Sequence, residues 1–97
     1  MSHILLVEDD LSLIEGLEFS LRKNGFAVTV CRTAREALAT YAAQAFDLLL
    51  LDLTLPDGSG FELCKTVRQT SRVPVIFLTA SDEEVNVVMG LDMGGDD

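Results

Sequence analysis

Short apolar runs alternate with helical repeats along the whole chain. The runs predict four strands, at residues 3–8, 26–31, 46–52 and 73–79. Three of them are continuously apolar, which is typical of strands that are covered on both faces of a sheet. The run at 26–31 alternates instead, with Phe26, Val28 and Val30 on one side, which is typical of a less covered edge strand.

Between the strands, apolar residues recur at helical spacing. The predicted helices cover residues 11–25, 33–44, 58–70 and 81–95. Their predicted apolar faces consist of Ile14, Leu17 and Leu21; Ala34, Ala37, Leu38 and Tyr41; Phe61, Cys64 and Val67; and Val85, Val88 and Met89. Gly25 is the stop signal of the first helix. The second and fourth helices begin with capping boxes, Thr33 with Glu36 and Ser81 with Glu84.

Strands that alternate with helices of this length predict an α/β fold with a parallel sheet. The strands at 3–8 and 46–52 are expected in the centre and the strand at 26–31 at an edge. This gives strand order 2-1-3-4, as in a flavodoxin-like doubly wound sheet. Ligands of such sheets bind beyond the carboxyl ends of the strands, where the strand order reverses.

Acidic residues collect at that point. Glu8 ends the first strand and is followed by Asp9, and Asp52 ends the third strand. Two carboxylates about 4 Å apart repel by about 4 kcal/mol at an effective dielectric of 20, so the site must raise a pKa or recruit a cation. Hard oxygen ligands of this kind suit Mg²⁺. Asp10 is expected to act only as the N-cap of the first helix.

Composition narrows the possible functions. The 97 residues suffice for one domain, and the formal net charge of -9 argues against direct binding of nucleic acid or anionic membranes. No signal peptide or membrane span is predicted, and we expect a cytoplasmic protein.

Cys31 and Cys64 lack metal or redox spacing and are expected to be reduced core thiols. The single histidine, His3, is expected to be structural.

The sequence resembles the receiver domains of bacterial two-component response regulators. The matching segments are "ILLVEDD" at 4–10, "DLLLLDLTLPDGSG" at 47–60, "VPVIFLTA" at 73–80 and "GLDMGGDD" at 90–97. The resemblance covers the whole chain, and the first three segments lie at three adjacent strand ends in the family's order. The last segment is most similar to the subclass that carries a winged-helix DNA-binding domain.

The resemblance implies a role for each residue at the acidic end. Asp52 would accept a phosphoryl group from a phosphohistidine of a sensor histidine kinase. Glu8 and Asp9 would hold Mg²⁺ together with Asp52 and the backbone carbonyl of Thr54. We expect a protein that accepts a phosphoryl group and has the capacity for self-dephosphorylation, and not a dedicated enzyme.

The resemblance also implies contacts to the transferred group. The Thr79 hydroxyl would hydrogen-bond the phosphoryl group and move on activation, and backbone N–H groups of Thr54 and Ala80 would face its oxygens. The family's lysine and aromatic switch residue lie on a fifth strand, which would follow Asp97. We therefore expect residues 1–97 to be a C-terminally truncated receiver domain without the fifth strand and fifth helix.

A chain of this kind would leave the outer edge of the strand at 73–79 unpaired. We therefore expect a homo-oligomer that covers this edge, and DNA binding only through an output domain outside these residues. Two alternatives stay open at this point. One is a phosphorylation-incompetent receiver that acts as a protein-interaction or dimerisation module. The other is an aspartyl-phosphatase-type enzyme, although its D-x-D-x-T motif should end the first strand and not the third.

Overall fold

The protein, described here from a computed structural model for residues 2–80 and 85–89, forms a sheet with helices on both faces. The elements in chain order are β1 (His3–Val7), α1 (Leu11–Lys23), β2 (Ala27–Cys31), α2 (Ala34–Ala43), β3 (Leu48–Asp52), β4 (Thr54–Leu55), β5 (Gly58–Ser59), α3 (Gly60–Arg68), β6 (Val75–Ala80) and β7 (Val85–Met89). The sheet order is β2-β1-β3-β6-β7, and β4 and β5 form a separate two-stranded hairpin.

The first four strands of this order are parallel, as the sequence predicts. β1 lies between β2 and β3, with Val7 opposite both Cys31 and Leu51. β3 in turn pairs with β6, where Asp52 lies opposite Leu78. The prediction of an α/β fold with order 2-1-3-4 is confirmed for these four strands, and β2 lies at the edge.

Successive side chains of β1 and β3 lie on opposite faces of the sheet, where they contribute to two separate core clusters. Leu5 and Leu49 belong to the cluster that includes α2 and α3, whereas Ile4 and Leu6 belong to the cluster against which α1 packs. Successive side chains of a strand point to opposite faces, so a continuously apolar strand supplies both clusters. The three continuous apolar runs therefore correspond to the three interior strands, β1, β3 and β6.

The helix ends follow the predicted signals. The Asp10 side chain accepts a hydrogen bond from the Leu13 N–H and caps α1, and Gly25 follows the helix with φ 93°. Such a positive φ favours glycine, which has no Cβ to clash. The Thr33 side chain caps α2, but the Glu36 side chain accepts from the Arg32 N–H rather than closing a box on Thr33.

Two expectations about helix faces need correction. Cys64 and Val67 are buried as predicted, but Phe61 is 43% exposed and Leu38 is 37% exposed. Phe61 is the second residue of α3, and its ring packs tilted against the Phe77 ring at a centroid distance of 4.8 Å while part of the side chain stays exposed. Both cysteines are free and buried, as expected.

The prediction of a fourth helix over 81–95 is wrong for the part that the structure describes. Residues 85–89 form β7, which pairs antiparallel with β6 and places Asn86 opposite Thr79. Three of these five residues are valine, a β-branched type that favours strands, and the outer edge of β6 offers unpaired backbone groups. Ser81 and Glu84, the predicted capping box, and the motif at 90–97 lie outside the described residues.

The same pairing removes the expected open edge. The outer edge of β6 is hydrogen-bonded to β7, so the argument for self-association through that edge is wrong. Self-association itself stays a prediction. Among the described helices, none is long and apolar enough to cross a membrane.

Candidate metal centre

Three carboxylates meet beyond the carboxyl ends of β1 and β3. Val7 lies opposite Leu51, so the next residues in the two parallel strands, Glu8 and Asp52, are neighbours across the sheet. Glu8, Asp9 and Asp52 each offer a carboxylate oxygen, and these atoms all lie within 4.8 Å of one another. The three predicted acids therefore converge as the sequence indicates.

Glu8 is the most buried of the three, with 3% of its surface exposed. Its Oε2 accepts hydrogen bonds from the backbone N–H groups of Asp9 at 3.1 Å and Asp10 at 3.0 Å. Its Oε1 is also buried, but no described residue donates a hydrogen bond to it. A buried polar atom without a partner is destabilising, and such atoms in native proteins often mark a site for an ion or water.

Burial changes the acidity of two of these groups. Burial raises the pKa of Glu8 to about 7, and the charge of Asp52 adds to this effect, against the backbone N–H groups of Asp10 and Asp9. Burial also raises the pKa of Asp52, and the negative charge of Asp9 acts in the same direction. The site is thus short of positive charge, a deficit that a divalent cation would remove.

The backbone of the residues that follow Asp52 also contacts the end of β3. The Thr54 N–H points to Asp52 Oδ1 at 3.4 Å, and the Gly60 N–H donates to the Leu53 carbonyl at 3.0 Å. A Cβ at Gly60 would overlap the Asp52 carbonyl oxygen. The start of α3 therefore approaches the end of β3 more closely than any residue with a side chain allows.

Gly60 is a positioning residue that the sequence analysis did not single out. The available signal was its place as the last glycine of "GSG", at the start of the helix that follows the acidic strand. A glycine at the start of a helix also has other common explanations, so the sequence alone did not distinguish this one.

An open cavity of about 630 Å³ lies over the three acids. Its remaining walls are largely apolar, and the lining residues besides the acids are Asp10, Leu13, Leu53, Thr54, Leu55, Pro56 and Leu78. A small anion or a metal ion with its waters can reach Asp52 from this side. The apolar walls lower the local dielectric and strengthen charge interactions at the mouth of the site.

The residues present fit a magnesium ion. All three side chains supply hard oxygen atoms, and Glu8 Oε1 is buried with no described hydrogen-bond donor. Their oxygen atoms lie within 4.8 Å of one another, close enough together to hold one small cation.

The two predicted residues of β6 lie next to this site in the sheet. Leu78 is opposite Asp52, and Thr79 and Ala80 are the next two residues, at the end of β6. The structure thus brings the backbone of Thr79 and Ala80 to the same edge of the sheet as Asp52. Their predicted contacts to a phosphoryl group stay predictions.

Comparison with known families and proteins agrees with this arrangement. Residues 4–97 match the model of the response regulator receiver domain. The sensory transduction protein RegX3 of Mycolicibacterium smegmatis is 47% identical over 97 residues, which are all of this chain and 42% of RegX3. The DNA-binding response regulator MtrA of Mycolicibacterium paratuberculosis is 44% identical over 94 residues, 97% of this chain and 42% of MtrA. The chain thus spans less than half the length of these relatives.

Solved structures give the same result. The non-phosphorylated HemR receiver domain from Leptospira biflexa superposes with a TM-score of 0.76 at 42% identity, covering 87% of this chain and 68% of that one. The response regulator TrrA from Thermotoga maritima, solved in complex with Mg²⁺-BeF, superposes with a TM-score of 0.79 at 30% identity, covering 84% of this chain and 72% of that one.

Proposed function

Because the chain belongs to the response regulator receiver domain family, we propose that residues 1–97 accept a phosphoryl group on Asp52 in a Mg²⁺-dependent reaction. The observation that carries the proposal is the position of Asp52. It ends a central strand with its carboxylate oxygen within 4.8 Å of oxygens from Glu8 and Asp9. A carboxylate nucleophile held beside two further acids needs a cation to approach a phosphoryl group, which is itself anionic.

The residues that would hold Mg²⁺ are the carboxylates of Glu8, Asp9 and Asp52 and the backbone carbonyl of Thr54. When bound, the ion supplies positive charge that offsets the nucleophile and the phosphoryl oxygens. The buried Oε1 of Glu8 supports this ligand set, since a carboxylate oxygen without a hydrogen-bond donor is a strong candidate for a metal contact.

The chemistry that we propose for Asp52 is a single displacement at phosphorus. A carboxylate oxygen of Asp52 forms the new O–P bond, the N–P bond of a phosphohistidine breaks, and the electron pair leaves with the imidazole nitrogen. The Thr54 N–H, which already faces Asp52 Oδ1, donates to a phosphoryl oxygen, as does the Ala80 N–H. The Thr79 hydroxyl donates to a third oxygen. Attack of water on the same phosphorus would return Asp52 and release phosphate, which is the self-dephosphorylation expected of the site.

The proposed partners follow from the family. A sensor histidine kinase supplies the phosphoryl group, and the phosphorylated state controls a DNA-binding output domain. The name of the relative MtrA, a DNA-binding response regulator, supports such an output. Because the chain spans 42% of MtrA, this output belongs to the whole protein and not to the described residues.

The test is labelling with a small phosphodonor such as acetyl phosphate in the presence of Mg²⁺, followed by intact mass measurement. We expect one phosphoryl group on the wild type and none on Asp52→Asn. The matched control is Asp47→Asn, which changes an exposed acid that lies just before the other end of β3 and should label as the wild type does.

Labelling of Asp52→Asn would refute the assignment of the acceptor. A folded wild type that takes no label, with or without Mg²⁺, would refute the proposal and favour the alternative of a protein-interaction module. Light scattering on the same samples would check the separate prediction of self-association, which a strict monomer contradicts.

A further inference from the structure

Asp57 joins two parts of the chain that are distant in sequence. It lies in the turn between β4 and β5, and its carboxylate reaches the first turn of α2. Oδ1 accepts a hydrogen bond from the Ala34 N–H at 2.7 Å, and Oδ2 accepts one from the Arg35 N–H at 3.0 Å. The side chain thus spans a separation of 23 residues and makes two charge-assisted contacts with one helix.

These two N–H groups are the ones that α2 itself leaves without partners. The Glu36 N–H donates to the Thr33 side chain, and the Ala37 N–H donates to the Thr33 carbonyl. The first four N–H groups of a helix have no partner within the helix, so Ala34 and Arg35 depend on an acceptor from elsewhere. Their N–H groups lower the pKa of Asp57, which is therefore ionised at neutral pH.

The hairpin that carries Asp57 has little stability of its own. It contains only two residue pairs, Thr54 opposite Ser59 and Leu55 opposite Gly58. Two-residue hairpin turns favour types with positive φ, but Pro56 has a ring-restricted negative φ, and no described residue other than glycine has a positive φ. An isolated two-stranded hairpin is marginal even with a favourable turn, so contacts outside the hairpin must hold it in place.

Each end of the hairpin has a different anchor. Leu55 is 5% exposed and packs in the core, and the Gly60 N–H fixes the base of the segment to Leu53. Asp57 holds the tip on α2. The Thr54 backbone lies between these anchors, so its orientation toward Asp52 depends on all of them.

We propose that Asp57 is a positioning residue for the acceptor site: by fixing the hairpin tip to the start of α2, it holds the Thr54 backbone in place over Asp52. This role rests on the proposed function, which assigns the Thr54 carbonyl to Mg²⁺ and its N–H to the phosphoryl group. It also ties α2, whose residues do not line the acidic cavity, to the geometry of that cavity.

The test compares Asp57→Ala and Asp57→Asn with the wild type. Both variants remove the same charge, but asparagine keeps one oxygen that can accept from one of the two helix N–H groups. The difference between them therefore reports the hydrogen bonds and not the long-range charge. Glu15→Ala, at an exposed position of α1, is the control for loss of an acidic side chain elsewhere.

Two measurements are needed. Amide hydrogen exchange in the metal-free protein should speed up at Ala34 and Arg35 and also at Thr54 and Gly60 in Asp57→Ala, because the hairpin loosens together with the helix end. Titration with Mg²⁺, followed by the amide shift of Thr54, should show a roughly fivefold weaker affinity for Asp57→Ala and a roughly twofold weaker one for Asp57→Asn. Glu15→Ala should match the wild type.

Faster exchange confined to Ala34 and Arg35, with Thr54, Gly60 and the Mg²⁺ affinity unchanged, would overturn the proposal, since Asp57 would then be a helix cap only. Equal losses of affinity in both Asp57 variants would also overturn it, because charge alone would explain them. If the wild type binds no Mg²⁺, the proposed function fails, and the exchange at Thr54 and Gly60 still decides whether Asp57 holds the hairpin.

Discussion

The polar residues at the two ends of β1 and β3 differ in how well their hydrogen-bonding groups are paired. At the amino end, the His3 N–H donates to Asp47 Oδ2 at 2.8 Å, and the Asp47 N–H donates to the His3 carbonyl at 2.8 Å. The His3 ring hydrogen-bonds Thr29 Oγ1 at 2.7 Å and contacts the Phe46 ring at a centroid distance of 4.4 Å. The backbone and side-chain groups named here all have partners, which gives His3 the structural role expected of it.

At the carboxyl end of the same two strands, hydrogen-bond pairing of the acidic side chains is incomplete. Glu8 is buried with one oxygen that no described residue hydrogen-bonds, and burial raises the pKa of both Glu8 and Asp52. Strand pairing is the same at both ends, so the backbone does not cause the difference. The difference lies in the partners of the side chains. At the amino end the polar groups pair with one another and stabilise the fold, whereas at the carboxyl end three acids lie together and Glu8 Oε1 has no described donor, which is destabilising.

The largest expected effect at the carboxyl end comes from Gly60→Ala. The new Cβ would overlap the Asp52 carbonyl, which is backbone and cannot rotate away, so β3 and α3 must separate. We expect the free energy of unfolding to fall by about 3 kcal/mol, together with weaker Mg²⁺ binding. Urea unfolding monitored by circular dichroism measures the first effect.

Gly16→Ala is the matched control for this substitution. Gly16 lies inside α1, and a Cβ there has no described atom within 4 Å. Alanine favours helix more than glycine does, so stability should rise by about 0.5–1 kcal/mol. If Gly60→Ala were equally harmless, the close approach of α3 to Asp52 would not restrict the site.

Glu8→Gln should have the next largest effect, and it should stabilise the metal-free protein. The pKa of Glu8 in the folded state is raised from 4.5 to about 7, so the folded state holds this proton more tightly than the unfolded state. Stability from this group is therefore present below about pH 4.5 and is lost as the pH rises to 7, a change on the order of 3 kcal/mol. Glutamine is neutral throughout and avoids this loss.

At pH 8 without metal, we expect Glu8→Gln to exceed the wild type in unfolding free energy by about 2 kcal/mol and to bind Mg²⁺ more weakly. Denaturant titrations at pH 5 and pH 8, each with and without Mg²⁺, measure both effects. A variant less stable than the wild type at pH 8 would contradict the view that this end of the sheet is destabilised by its acids.

A smaller effect is expected at the amino end of the strands, where the substitution should destabilise the protein, in contrast to Glu8→Gln. Asp47→Ala removes the acceptor of the His3 N–H in an exposed position, so the free energy of unfolding should fall by about 1 kcal/mol. Mg²⁺ affinity should not change, because Asp47 and the acidic site lie at opposite ends of β3. Thermal unfolding and a Mg²⁺ titration of the same sample check both statements.

The periodicity of the sequence was sufficient to predict the acidic end of the two strands. Parallel pairing of two apolar runs that each end in acid requires the acids to meet, and Glu8, Asp9 and Asp52 do meet. The capping role of Asp10 was equally predictable, because an N-cap depends on a few neighbouring residues.

The features that escaped prediction depend on contacts between distant segments. In the sequence Asp57 stands between Pro56 and Gly58, a pattern typical of a turn, and only the packed structure brings it to the start of α2. The error over residues 85–89 has the same origin. The valines there fit either a helix face or a strand, and pairing with β6, which the local pattern does not contain, decides between them.

The register between β1 and β3 also has a consequence for the order of events during synthesis. Ile4 pairs with Leu48, so the central contact of the sheet closes a loop of more than forty residues. Pairing at such separation is slow compared with local helix formation. During synthesis β1 is made before β3, and its apolar residues cannot pair with β3 until α1, β2 and α2 have been made. Because the acidic site joins residue 8 to residue 52, it can form only after β3 has been made.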